Sequence, residues 1–408
     1  KRMGDFFEET FGFEEAGDYE DTQQALQNIA TFRRVTALDG VKQPFFAEEC
    51  TFNTEHRGPV SAGIAYTPSV AELHAQLAAV LAGCTAEEKE NIAAMKTALA
   101  NEEKPFTIKN IVGESRSLHG EARCVGATVQ AASQFNLLEF PGPTTVPEKG
   151  ITGYLYDRTQ GPACAIACAA GTAYRNYLMP TPVLAETTTR GQTRNNQINC
   201  MQEVEAEVIS ELKPEDRFFW RTKNGYVEST PEKLQEFNDK YKSLSEERRD
   251  EITSLLRIGV QQDTHVTDTK SVKDPGTGKW VWRPLTASDG KPVSVTQTYN
   301  AAISVGYSRC NANSWRSVAQ LVLDGTYEAT LLVAALQAVR AAKTGATTTP
   351  TVFLTKVGGG VFANDMHWIN AAMARAVERV PMKHGVPLDI KIVHYASVES
   401  GYDNLERL

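Results

Sequence analysis

The sequence predicts an α/β fold built on a parallel sheet, and three observations carry that prediction. Thr351-Val352-Phe353-Leu354-Thr355 is a short apolar run of the buried-strand type, and Gly358-Gly359-Gly360 follows it. Asp365–Val380 then sets Met366, Ile369, Met373, Ala376, Val377 and Val380 at helical spacing. Ile390–Tyr395 is a further strand, so strand, glycine loop, helix and strand make a βαβ unit with parallel strands.

The remaining elements follow from the N-terminus. Residues 1–105 read as a helical accessory region. Thr22–Val35 is amphipathic, and Ser69–Leu81 and Thr85–Leu99 both open with a capping box, Ser69 with Glu72 and Thr85 with Glu88. Residues 106–202 read as the first part of the α/β core. Phe106–Val112 is strand-like, Ala127–Phe140 is a strand ending in Phe135-Asn136-Leu137-Leu138, and residues 141–150 form a Pro/Gly loop. Ile151–Tyr156 alternates in strand fashion, and Ala163–Ala170 is small and apolar, suited to close packing. Residues 203–290 change character and read as a lid-like insertion, with charged helical patterns at Glu203–Leu212 and Pro231–Ile258, a turn at Asp274–Gly278 and a hairpin arm at Trp280–Trp282. Residues 291–408 complete the core, with a strand at Val293–Val305 and a helix at Trp315–Ala342 ahead of the βαβ unit.

Composition narrows the function. The chain has 408 residues, a formal net charge of −8 and 41% hydrophobic residues, which suits a packed core and not a disordered chain. An acidic balance with no basic block argues against general binding to nucleic acid or to an anionic membrane. No apolar stretch approaches the ~18 residues of a membrane span. The first residues lack a secretory apolar region. Seven scattered cysteines without a C-x-x-C pair read as reduced thiols of an intracellular, cytoplasmic protein. Cys164 and Cys168 are better placed as small core residues than as metal ligands, because nothing nearby completes a tetrahedral set.

Three segments carry polar chemistry. In Lys356-Val357-Gly358-Gly359-Gly360-Val361-Phe362, the glycines let backbone N–H groups approach a ligand, as in phosphate sites. A tight strand-to-helix turn without a ligand is the alternative. Gln134, Asn136 and Glu139 stud an apolar run, either as a pocket wall or as an internally satisfied network. Glu148 and Asp157-Arg158-Thr159-Gln160-Gly161-Pro162 place carboxylates and an amide on loops. A carboxylate there can orient water or counter positive charge on an anomeric carbon, whereas Asp157 with Arg158 as a surface pair is the competing reading. His367 is placed to pack or cap its helix and His394 to lie in the core. Neither joins a nucleophilic triad or a metal motif.

Gly358–Phe362 after a buried strand resembles the diphosphate loop of macrodomains and poly(ADP-ribose) glycohydrolases. Ser133–Glu139, Asp157–Ala165 and Thr326–Leu331 narrow the likeness to the MavL-like ADP-ribosyl hydrolases, the group that acts on ADP-ribosyl-ubiquitin. The resemblance covers roughly residues 106–200 and 293–397. It implies a macrodomain-like α/β/α sandwich with a mixed sheet, to which the N-terminal helical region and the helical insertion are additions. Poly(ADP-ribose) glycohydrolases carry Gln-Glu-Glu shortly after the loop, where this chain has Ala363-Asn364-Asp365-Met366-His367-Trp368. The catalytic carboxylates implied are therefore Asp157, Glu148 and Glu139.

By the same resemblance, ADP-ribose is held by Gly358, Gly359, Gly360, Val361, Phe362 and Asn364. Gln134 and Asn136 contact sugar hydroxyls, and Thr159, Gln160 and Gly161 line the ribose. The implied activity is hydrolysis of the N-glycosidic bond of ADP-ribosylarginine on a protein, ubiquitin being one candidate. No redox cofactor or metal is required, and ADP-ribose is ligand and product. A non-catalytic ADP-ribose reader, or a glycosidase of another fold, would use the same residues differently.

Overall fold

The computed structural model describes residues 5–99, 103–181, 189–273, 275–278, 280–402 and 404–408. Nine strands form one sheet: β1 (Ala30–Arg34), β2 (Ala47–Thr54), β3 (Gly58–Tyr66), β4 (Phe106–Val112), β5 (Thr128–Ala132), β6 (Gly259–His265), β7 (Ser294–Asn300), β8 (Thr351–Leu354) and β9 (Leu388–His394). Their spatial order is β1-β2-β3-β6-β7-β5-β8-β9-β4. β1, β2, β3, β6 and β7 pair antiparallel, and β7, β5, β8, β9 and β4 pair parallel, so the sheet is mixed and changes sense at β7.

The expected α/β sandwich is present. Successive residues of a strand face opposite sides, and β7 shows which helices lie where. Gln297 Nε2 meets His119 and the Cys164 carbonyl on one side, whereas Thr298 meets Thr330 on the other. The first side carries α1 (Gln160–Ala167). The second carries α2 (Arg316–Lys343), a 28-residue helix buried along most of its length, with α3 (Met366–Val377) packed beside it. Both predicted capping boxes form, at Ser69/Glu72 and Thr85/Glu88.

Four expectations need correction. Residues 30–66 are not part of a helical accessory region, because they supply β1, β2 and β3. The polar residues Arg33, Arg34, Glu48 and Glu49, cross-strand neighbours in β1 and β2, mask the strand pattern. Residues 203–290 are not a lid set apart from the core, since β6 lies inside the sheet. The hairpin Arg221–Lys223/Tyr226–Glu228 is also clamped to the core: Asn224 Nδ2 donates to the Pro143 and Thr145 carbonyls at 3.0 and 2.5 Å, and Phe135 N donates to the Gly225 carbonyl at 3.0 Å. The strand expected over Ala127–Phe140 ends at Ala132, and Leu137 sits at φ 66°, which breaks the extended run. Ile151–Tyr156 contains a 3₁₀ turn, Thr152–Tyr156, because Glu15 accepts from the Ile151 and Thr152 N–H groups at 2.7 and 2.8 Å and closes its start. Of the predicted 274–278 turn, Asp274 lies outside the described residues, as do Lys1–Gly4.

Candidate functional site

A cleft of about 220 Å³ opens where β5, β7 and β8 end at their C-termini. Ends of parallel strands are the usual ligand position in such sheets, because loops diverge there and leave a crevice. The cleft joins three segments distant in sequence. Gln134, Glu139, Phe140, Asp157, Thr159, Gln160 and Gly161 come from the region after β5, Ala302 and Tyr307 from the end of β7, and Lys356–Gly358 with Gly360–Phe362 from the glycine loop.

The glycine loop has the geometry of an anion cradle. Gly358 adopts φ +74°, and a Cβ there would lie 2.5 Å from the Ala302 Cβ and 2.6 Å from Asn364 Nδ2, so only glycine fits. Asn364 clasps the loop from behind. Its Nδ2 donates to the carbonyls of Ile303 at 2.7 Å and Gly358 at 3.2 Å, and its N–H also reaches Gly358 O. Among the described residues, the N–H groups of Gly358, Gly360, Val361 and Phe362 meet no acceptor. Successive free N–H groups in a tight turn present partial positive charge to an anion. Lys356 adds a cation, itself paired with Glu399.

Asp157 stands on the loop before α1, partly exposed. Its Oδ1 accepts from the Thr159 N–H at 2.8 Å and from the Thr159 hydroxyl at 2.7 Å, which fixes the carboxylate at the cleft edge. Gly161 lets α1 start against the sheet, since a Cβ would fall 2.1 Å from the Ala132 carbonyl. Glu139 lies deeper. Its side chain is 0% exposed, its Oε1 accepts from Arg175 Nη2 at 2.7 Å, and among the described residues its Oε2 meets no hydrogen-bond partner. Burial pushes its carboxyl up to about 7, against the pull of Arg175.

Several expected ligands have other work. Gln134 is braced across its own loop, accepting from Phe140 N at 3.1 Å and donating to Phe140 O at 3.0 Å. Gln160 caps the end of β5, accepting from Ala132 N at 2.8 Å and donating to Gln130 O at 2.7 Å. Their amides are bonded to backbone although both residues line the cleft. Asn136, Gly359, Asn364 and Glu148 do not line it. Asn136 is fully buried and joins Gln197 at 3.1 Å, and Glu148 accepts from Arg194 N at 2.8 Å. His394 is buried and His367 follows the cap Asp365. All seven cysteines are free and buried.

Sequence reasoning missed three residues. Tyr226 and Tyr307 form an aromatic wall with Phe362, with ring centroids 5.8 Å (Tyr226–Phe362) and 5.6 Å (Tyr307–Phe362) apart. Tyr226 follows the Asn224-Gly225 turn, a hairpin signal visible in the sequence. Arg175 is the one charged residue in the mostly apolar run 163–179, and a lone charge in such a run calls for a buried partner.

Among the described residues, no group of three or more His, Cys, Asp or Glu side chains could hold a metal ion, and no helix is long and apolar enough to cross a membrane. No protein-family model matches the chain, and no curated protein matches it. Among solved structures, the chain is similar to a crystal structure of poly(ADP-ribose) glycohydrolase from Thermomonospora curvata. That match has 11% identity over 83% of this chain and 97% of that chain, with a TM-score of 0.27, too low to carry an argument about this cleft.

Proposed function

We propose that this chain is an ADP-ribosyl hydrolase that removes ADP-ribose from a modified protein. One observation carries the reading: a loop with four unpartnered N–H groups and a fixed carboxylate line the same cleft. The first suits a diphosphate and the second an anomeric carbon or the water that attacks it. The aromatic wall, its rings tilted against one another, gives apolar faces and edges for a sugar or base.

In this reading Gly358, Gly360, Val361 and Phe362 hold the diphosphate by N–H groups, and Asp157 orients water. Gln134, Gln160 and Asn364 shape the site from behind. Glu148, outside the cleft, has no step assigned to it. The finer specificity rests on the likeness of the sequence blocks to the MavL-like group: arginine is the proposed linkage, and ubiquitin is the first substrate to try. The reaction is a hydrolysis and calls for no redox cofactor.

The test is the intact mass of arginine-ADP-ribosylated ubiquitin before and after incubation with the protein. Loss of one ADP-ribose is expected, slowed by ~10²–10⁴ in Asp157→Ala with ADP-ribose affinity retained. Equal turnover by Asp157→Ala would remove Asp157 from the chemistry. Tight binding of free ADP-ribose without turnover on any linkage would favour the reader, a reading that the backbone-bonded amides of Gln134 and Gln160 also suit.

A further inference from the structure

The cleft contains a second carboxyl whose surroundings differ from those of Asp157. Glu139 lies between elements on every side: Arg175 from the π-helical turn Tyr174–Leu178, Tyr154 from the 3₁₀ turn, Cys164 from α1, Tyr299 from β7, and Asp157 and Lys356 on the cleft itself. Arg175 bonds its carboxyl at Oε1, the nearby Tyr154 hydroxyl also favours its charged form, and among the described residues Oε2 meets no hydrogen-bond partner. The Tyr154 hydroxyl oxygen accepts from the Glu139 main-chain N–H at 3.0 Å.

Arg175 has no freedom to do otherwise. Its Nε donates to the Leu137 carbonyl at 2.9 Å and its Nη1 to Gln261 Oε1 at 2.6 Å. Its guanidinium carbon stacks 3.6 Å from the centre of the Tyr299 ring. Gln261 is held in turn by the Tyr299 hydroxyl, which lies 2.7 Å from both Gln261 Oε1 and Gln297 Oε1 and shares its one proton between them. The guanidinium plane is thus locked by the sheet, and it presents one N–H to one carboxyl oxygen.

We infer that Arg175 is a positioning residue that ties Glu139 by one oxygen and leaves the other to carry the proton for the leaving group. This rests on the hydrolase reading above and gives its two cleft carboxyls separate tasks. Water attacks the anomeric carbon as the carbon–nitrogen bond breaks. Asp157 takes the proton from water, and the departing nitrogen takes the proton held on Glu139 Oε2. Exchange with solvent restores both carboxyls. An acid needs a neutral carboxyl with a free oxygen, and burial supplies the first by raising the Glu139 carboxyl.

The experiment compares two conjugates of ADP-ribose, one linked to arginine and one to 4-nitrophenol, whose leaving group needs no proton. Glu139→Gln should slow the arginine conjugate by ~10² or more and the nitrophenol conjugate by less than ~10-fold. The wild-type rate on the arginine conjugate should fall above about pH 7, and Glu139→Gln should lose that fall. Arg175→Lys should move it to higher pH at unchanged KM, a shift that a purely structural role would not produce. Equal slowing of both conjugates by Glu139→Gln, or an unmoved limb in folded Arg175→Lys, would overturn the inference. Should Arg175→Lys fail to fold, the leaving-group pair decides alone. Wild-type protein inert on both conjugates would instead overturn the hydrolase reading itself.

Discussion

Glu139 in the cleft and Glu328 on α2 are both buried glutamates bonded to arginine, with side chains 0% and 1% exposed. They hold protons in opposite ways. Burial raises both, but at Glu328 it is outweighed. His74 Nε2 meets Oε1 at 2.7 Å, Arg379 Nε meets the same oxygen at 3.0 Å, and Arg375 bonds Oε2. Those partners hold the Glu328 carboxyl down at about 2. Glu139 has one arginine and one bare oxygen, and burial prevails, at about 7. The lesson is that burial alone does not set a carboxyl's charge. The number of donors on its two oxygens does, and the shortfall occurs at the cleft.

The largest effect expected from this contrast is on stability. Glu328→Gln leaves Arg375 and Arg379 sharing Asp250, which they contact at 2.8 Å each, without the central anion. Breaking a buried ion network by removing one partner typically costs about 3–5 kcal/mol. Urea unfolding at neutral pH should show a loss of that order, and a loss under about 1 kcal/mol would mean the network is not what joins α2 to its neighbours.

The second effect is its dependence on acid. Glu328 has a folded value below its ordinary 4.5, so its contribution is complete above that value and is lost as pH falls toward about 2. The stability gap between wild type and Glu328→Gln should therefore narrow on acidification, by on the order of 3 kcal/mol. Urea midpoints of both proteins across that range give the gap. A constant gap would show that the anion is not the stabilising species.

These contrasts also mark what the sequence made legible. The βαβ unit could be read because Thr351–Leu354 and Met366–Val377 are apolar at clean strand and helix periods, and the glycine loop between them could be read from Gly358–Gly360 alone. β6 carries no such signal, and β7 is legible only within the longer strand expected over Val293–Val305. Gln261, Gln262, Thr264, Gln297, Thr298 and Asn300 are all buried, and several bond to groups far off in sequence: Gln261 to the Ala62 carbonyl of β3, Gln297 to His119 and the Cys164 carbonyl, and Thr298 to Thr330 of α2. A polar strand whose partners are remote carries no local hydrophobic signal. The same holds for the cleft. Asp157 and the loop glycines stand out locally, whereas Glu148 resembled them in sequence and lies elsewhere, because which loop folds toward the strand ends is settled by long-range packing.

The smallest effect is the sharpest test of the contrast, and it concerns Glu139 alone. A carboxyl whose folded value is raised stabilises fully below its ordinary 4.5 and loses that contribution as pH rises through about 7. Near pH 6, where Glu139 is mostly neutral, Glu139→Gln replaces one neutral group by another of similar shape. Arg175 keeps Leu137, Gln261 and the Tyr299 ring. The expected change in unfolding free energy is within about 1 kcal/mol. From about pH 5 to about pH 8, wild type should lose stability relative to the variant, the reverse of the acid trend expected at Glu328. If Glu139→Gln instead destabilised the protein as much as Glu328→Gln does, Glu139 would be an ionised partner of Arg175. The cleft would then hold two anions and no proton to give.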